Sequence, residues 1–369
     1  MDNKLGTQEI INYRNLLAKK YKFFFILIIF IFLSQTLFNA TINHSDFILS
    51  INNFLHNINF FRIENNRLYE LLLKSIFYLL PIPFITLIEL LIHKDKSGFS
   101  FFKTSLGRIK FSKGYKNADF WYFLTHTITT RIPLLTIFLT LGIASANNSL
   151  SLWFNSAYKS YIVLPNTHFL ATLIMIFAIL IEDFILFFKH YLSHKIPLIW
   201  DIHEFHHSAT EMTILSGYRV NTLESLFTFP ISIPFSVLSG LLINKYLNEG
   251  FIMPVLIFLV YRTMQMLFSY IGHTSLKIIY PKFISRIFLS PSLHWIHHSD
   301  NIAHYDKNFG PCLVFWDKMF GTYLDESELT NISDFGVKNS DYNKYHPLYS
   351  FNILPIMKVI RRLKFLLGN

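Results

Sequence analysis

A histidine pattern in the second half of the chain dictates how the rest must fold. His190-xxx-His194 is followed by His203-xx-His206-His207, and the latter spacing returns as His294-xx-His297-His298. His273 lies between these boxes and His304 just beyond them, so that ten of the 16 histidines fall between 190 and 304. Side chains at i, i+3 and i+4 share one face of a helix. Each box therefore aims two or three imidazoles at one spot. At this histidine frequency one HxxHH box arises by chance in roughly 3% of chains this long, and two far more rarely. Imidazole is a good neutral ligand for iron, zinc, copper and nickel. Eight to ten converging imidazoles are too many for one ion, so the pattern implies a two-metal centre. A fold that closes three distant stretches over one place is required.

The remaining sequence says where that place is. With 52% hydrophobic residues and a mean hydropathy of +0.36, the 369-residue chain is too apolar for an ordinary soluble domain. Runs of about 20 apolar residues suit membrane crossing. Six stretches qualify: 23–40, 70–92, 132–147, 168–188, 225–244 and 251–271, the third short and the last carrying Arg262. The N-terminal polar stretch and the absence of a small-residue cleavage site make the first run an anchor rather than a cleaved leader. Lysines and arginines crowd before the first run and between 94 and 118, while the 148–167 and 245–250 connections hold one lysine each. The positive-inside rule then sets the N-terminus in the cytoplasm and pairs the runs into three hairpins. Under that topology 189–224 and 272–369 both face the cytoplasm, and every histidine box sits at helix ends on one side. The expected address is a multi-pass protein of a bacterial inner membrane, or of the endoplasmic reticulum in a eukaryote.

The expected fold is an all-α integral membrane protein: a bundle of about four to six transmembrane helices under a cytosolic histidine-rich cap. Its organisation is an N-terminal anchor region over 1–120, a catalytic domain over 121–325, and a tail over 326–369. The tail reads as a surface loop from Ser327 onward, ending in a basic amphipathic stretch (Lys358, Arg361, Arg362, Lys364) suited to a membrane surface. The net charge of +10 fits topology and anionic headgroups, and nothing indicates nucleic acid.

Asp183, His190 and His194 are spaced by 7 and 4 and share one helix face. A carboxylate within an apolar run is costly. Asp183 is therefore read as a residue that orients or joins the histidines, with a helix–helix hydrogen bond as the plainer alternative, and Glu182 as structural. His190, His194, His203, His206, His207, His294, His297 and His298 are the metal-ligand candidates, with His273 at the end of the sixth run as a ninth. His304 is a ligand or a proton donor. His44, His56, His93, His126, His168 and His346 are read as ordinary side chains. The single Cys312 excludes a disulfide framework and thiolate metal sites. Spacing alone leaves iron and zinc both open. Two irons with open positions could activate O2 against an unactivated C–H bond, and the substrate for that chemistry would be a lipid drawn from the bilayer. Two zincs would instead serve a lipid hydrolase with bound water as nucleophile. A non-enzymatic metal transporter or sensor should carry ligands at mid-membrane depth, which these runs lack. No Gly-x-Ser-x-Gly elbow is present for an esterase.

From about Asp183 to Thr322 the motifs resemble the fatty acid hydroxylase / sterol desaturase superfamily. The matching residues are Asp183 through His190 and His194, Pro197-Leu198-x-Trp200, His203-xx-His206-His207-Ser208, Arg219 with Glu224, and His273. Pro291-xx-His294-xx-His297-His298-Ser299, His304-x-Asp306-x-Asn308-Phe309-Gly310 and Trp316-Asp317-xx-Phe320-Gly321-Thr322 complete the set. Two positions depart from the pattern: Asn221-Thr222 replaces a His-Pro found in many bacterial relatives, and Lys195 replaces an arginine. The resemblance implies an integral-membrane di-iron, O2-dependent oxygenase or desaturase acting on a lipid such as a sterol or a fatty acyl chain. With no dinucleotide fingerprint, cysteine-ligated cluster or haem module in the chain, its electrons would come from outside, through a reductase, a ferredoxin, a cytochrome b5-like protein or a pterin. Asp306 or Asp317 is expected to hold a ligating histidine in orientation.

Overall fold

The computed structural model describes residues 81–92, 100–111, 115, 117–131, 167–221, 223–224 and 252–368. The expected runs at 23–40, 132–147 and 225–244, the start of the 70–92 run, and His44, His56 and His93 lie outside the described residues. Among those described, the architecture is helical and without strands, with two isolated bridges, Phe288 to Leu313 and Ser299 to Phe335.

Two helices are long and apolar enough to cross a membrane: α3 (His168–Lys195, 28 residues) and α5 (Ile252–Ile271, 20 residues). They correspond to the expected runs at 168–188 and 251–271, and α3 continues past the apolar stretch to carry the first histidine box. α1 (Pro81–Ile92) is the described end of the 70–92 run, and α2 spans Ala118–Arg131. α3 packs along α5 through Ala171, Met175, Ala178 and Ile179 against Tyr261, with Cys312 inserted beside them. Small residues on α3 permit this close approach. Away from that seam, Phe169, Leu173 and Phe177 of α3 and Ile252, Leu256 and Val260 of α5 are exposed. Arg262, the charge that set α5 apart, meets Glu182 of α3 at 2.5 Å. The carboxylate beside Asp183 is thus structural, and each charge supplies the other's partner.

The boxes sit on short helices of like design. α4 (Pro197–His207) and α6 (Pro291–His297) each start with proline in the first turn and end at the box. Proline there sacrifices an N–H that the helix leaves unpaired anyway. α6 is held by a core of Leu293, Ile296, Leu289, Phe268, Val314 and Leu329. α4 turns its histidines inward and its acids outward. Asp201 is gripped by Arg362 at 2.8 and 2.9 Å and Glu204 by Lys358 at 2.6 Å, both from α9 (Leu354–Leu366). α8 (Pro347–Asn352) and Tyr342 complete this clamp, with Tyr342, Phe351 and Leu354 buried against Phe205 of α4. The 326–368 segment is therefore not only surface: it buttresses α4, and burying one such aromatic side chain contributes about 1.5–3 kcal/mol. The amphipathic reading of its end holds in one respect, because the face opposite the clamp leaves Ile353, Ile356, Ile360, Leu363 and Leu367 exposed.

One buried ion pair ties the cap to α2. Arg219 and Asp119 are both wholly buried, 2.6 Å apart. Arg219 also donates to Ser208 directly after the second box (2.7 Å) and to Asn343 (3.3 Å), and stacks over Tyr122.

A candidate dinuclear metal centre

The fold gathers nine histidines into two groups. His190 and His194 of α3, His203 and His207 of α4, and His297 of α6 form a pentad. His206, His273, His294 and His298 form a tetrad. Within each group the potential ligand atoms all lie within 4.8 Å of one another. The groups adjoin: the rings of His207 and His298 stack at 4.4 Å and those of His206 and His298 are 4.6 Å apart. The tandem His206-His207 and His297-His298 pairs explain the double histidine in each box, since one member serves each group.

The pentad is aimed by oxygen atoms behind it. Nδ1–H of His203 donates to Glu224 at 2.9 Å, that of His190 to the Phe309 carbonyl at 2.9 Å, and that of His297 to the Lys307 carbonyl at 2.7 Å. His194 Nδ1 lies 3.5 Å from the Asp306 carboxylate, which Lys195 holds from its other oxygen at 2.5 Å. A proton fixed on Nδ1 leaves Nε2 with a lone pair. Among the described residues, the Nε2 atoms of all five are buried without a hydrogen-bond partner. Such orphaned polar atoms are rare and costly unless something binds them. In the tetrad the Nε2 atoms meet each other, His294 to His273 at 3.1 Å, His298 to His294 at 3.0 Å and His273 to His206 at 3.4 Å. Trp200 walls the pentad, 5.0 Å from His194 and 5.5 Å from His207 between ring centres.

Two of the three acceptors, together with Asp306, come from one turn, residues 306–309. Asp306 and Asn308 have φ of 59° and 57°, a region that aspartate and asparagine tolerate better than most residues. Buried Asn308 donates to Leu293 of α6 and accepts from Leu324. Asp317, on α7 (Phe315–Met319), accepts the backbone N–H groups of Phe309 and Gly310 and the Thr322 hydroxyl at 2.7–2.8 Å. Of the two aspartates expected to orient a ligating histidine, Asp306 stands beside the clustered His194, while Asp317 accepts from the peptide whose carbonyl receives His190. A Cβ at Gly310 would fall 2.7 Å from the Leu313 carbonyl and 2.8 Å from Asp317, so glycine is required there.

Burial, more than mutual repulsion, pulls His206, His207, His294, His297 and His298 well below the ordinary histidine pKa. Burial brings His273 to about 4 against its Ser269 backbone hydrogen bond. These imidazoles are neutral at neutral pH, the form that binds metals. Burial alone would raise the Glu224 carboxyl, but the attraction and hydrogen bond of His203 outweigh it and hold it below its usual value. The donor set is thus nine imidazoles without thiolate, which fits iron, zinc, copper or nickel.

Asp183 and His304 lie outside both groups. Asp183 accepts the Tyr261 hydroxyl at 3.1 Å, a helix–helix hydrogen bond between α3 and α5. His304 is buried with Nε2 3.5 Å from Glu328. His126 faces the Val220 carbonyl and His346 caps α8, and with His168 they belong to neither group. Glu224 had appeared in the sequence only as part of a motif; its contact with His203 spans 21 residues and could be suspected only from that motif.

Comparison with known proteins agrees with this geometry. Residues 175–322 match the fatty acid hydroxylase family model. The segment holds all nine clustered histidines, so the part of the chain that carries the site is similar to the fatty acid hydroxylase family. It is similar to alkylglycerol monooxygenase of Caenorhabditis elegans (29% identity over 186 residues, 48% of this chain and 33% of that protein). Human alkylglycerol monooxygenase is 26% identical over 152 residues, 41% of this chain and 31% of that protein. The ornithine lipid hydroxylase OlsE of Rhizobium tropici is 25% identical over 150 residues, 40% of this chain and 41% of that protein. The chain thus matches between about a third and two fifths of the length of these relatives. No solved structure matches it.

Proposed function

We propose that this protein is a membrane-bound di-iron lipid hydroxylase that uses O2, with the pentad holding one iron and the tetrad the other. The observation that carries the reading is the set of nine clustered imidazoles in two adjoining groups within the fatty acid hydroxylase segment. The relatives' names describe a monooxygenase and a hydroxylase, one of an alkylglycerol and one of an ornithine lipid. That favours oxygen insertion over desaturation and a lipid over a soluble substrate. Bound iron would supply O2 activation and attack on an unactivated C–H bond.

The chain's own residues provide the rest. Glu224 and the 307 and 309 carbonyls hold three pentad imidazoles in one tautomer, so Nε2 is ready without rearrangement, and Asp306 stands behind a fourth, His194. Burial favours the unprotonated form of His206, His207, His273, His294, His297 and His298. Asp183 and Tyr261 keep α3 in register with α5, which sets where the first box emerges. The proposed setting is a bundle of four to six spans with the boxes on the cytoplasmic side. α9's exposed apolar stripe would rest on the membrane surface, and an external donor would supply the electrons.

Metal content of detergent-purified protein, with Mössbauer spectroscopy of anaerobically reduced samples, tests the reading. Two irons per chain, with oxygen-dependent hydroxylation of a lipid extract, are expected. Two zincs, with no activity regained on iron loading, would overturn it in favour of a lipid hydrolase.

A further inference from the structure

Two short segments outside the metal centre share a composition that the cap itself does not need. The Lys282–Ser285 turn and its flank expose Phe283 and Ile287, 71% and 56% accessible, and α7 exposes Phe315 and Met319, 53% and 55%. The segments are one unit. Leu289 N–H donates to the Cys312 carbonyl at 2.7 Å and Val314 N–H to the Ile287 carbonyl at 3.0 Å. Exposed Lys282, Arg286 and Lys318 flank the four apolar side chains. The one acid in either segment, Asp317, is buried and committed to backbone N–H groups. Among the described residues of these two segments, the outer face therefore combines bulky apolar groups with three exposed cations.

Its place in the fold identifies what could cover it. Trp316 packs on Phe184 of α3 at 4.8 Å, Phe320 packs on Phe187 at 5.1 Å, and Cys312 sits in the α3–α5 seam. The unit thus lies against the last apolar turns of α3, just before His190. A helix that crosses a membrane meets the headgroups at that level. Apolar side chains rimmed by cations match such an interface, where acyl chains take the former and anionic headgroups the latter.

We propose that 282–288 with α7 forms an interfacial anchor that seats in an anionic lipid surface beside α3, fixing the height of the metal centre above the bilayer. The proposal rests on α3 being a membrane span, and the test separates the two. Single spin labels are placed in a Cys312→Ala background of the full chain, at Phe283→Cys, Phe315→Cys and Met319→Cys. Phe177→Cys on the exposed face of α3 reports the span, and Lys338→Cys, 73% exposed, reports water. Proteins with wild-type metal content are placed in nanodiscs of phosphatidylcholine with phosphatidylglycerol, and collisions with O2 and a water-soluble nickel chelate are measured. O2-favoured accessibility at 283, 315 and 319, falling when Lys282, Arg286 and Lys318 are replaced by glutamine, is expected. Nickel-favoured values there, with Phe177→Cys still in lipid, would overturn the anchor and leave the span intact. Labels shielded from both reagents would overturn it too, because a second copy or a protein partner would then cover the face. A nickel-favoured Phe177→Cys would overturn the span and the anchor together.

Discussion

Glu224 offers the sharpest test of how the pentad is built. Its carboxylate takes the Nδ1 proton of His203 at 2.9 Å, half-buried and 21 residues away in sequence. Glu224→Ala removes the acceptor, frees the imidazole to rotate or change tautomer, and touches no proposed ligand atom. Loss of such a supporting partner typically weakens metal binding 10–100-fold, about 1.4–2.8 kcal/mol. Glu224→Gln keeps an acceptor of nearly the same shape but loses the charge. A charge-assisted hydrogen bond contributes about 1 kcal/mol more than a neutral one, so this variant should weaken binding roughly fivefold. The assay is chelator competition against metal-loaded protein, with the two ions distinguished spectroscopically. The order wild type, Gln, Ala should appear at one ion only, with the tetrad ion unchanged. Equal loss from both sites, or none in the alanine variant, would refute the reasoning that this carboxylate aims a pentad ligand.

His297→Ala should remove the pentad ion and His273→Ala the tetrad ion, each leaving about one metal per chain by elemental analysis, whereas His126→Ala should retain both. Metal-free protein should be stable at pH 7.5 and weaken on acidification. The buried histidines are held below the unfolded value of about 6.5, so above it neither state carries the protons; as pH falls from about 6.5 towards the His273 value of about 4, the unfolded chain gains protons that the fold refuses. Thermal unfolding across that window would show it, and a flat profile would contradict the burial argument. Arg219→Met should destabilise by roughly 3–5 kcal/mol, because it strands Asp119 without its buried partner, and Asp119→Asn added to it should recover part of the loss in melting temperature.

The nine clustered histidines were legible because imidazoles at i, i+3 and i+4 must share a face, and because the paired boxes had to meet. Glu182 was legible as structural, although its partner Arg262 was not, since the pair bridges 80 positions and periodicity carries no information on what faces what across two helices. The same holds for Asp119 and Arg219. The clamp of α9 on α4 was hidden for another reason: a basic amphipathic helix looks alike whether its cations meet headgroups or, as Lys358 and Arg362 do, the acids of a neighbouring helix. The supports of His190 and His297 are backbone carbonyls, which every residue possesses and which therefore leave no mark in the sequence.

Those carbonyls have an evolutionary corollary. The side chain at 307 can change freely while its peptide oxygen goes on receiving the His297 proton, so that part of the centre is shielded from single substitutions. The vulnerability is displaced onto residues that hold the turn in shape: Asn308 at its left-handed φ, Gly310 with no room for a methyl, and Asp317 beneath them. Divergence among proteins of this kind should run freely at 307 and stall at its neighbours, and a lesion at 308, 310 or 317 should weaken histidines it never touches.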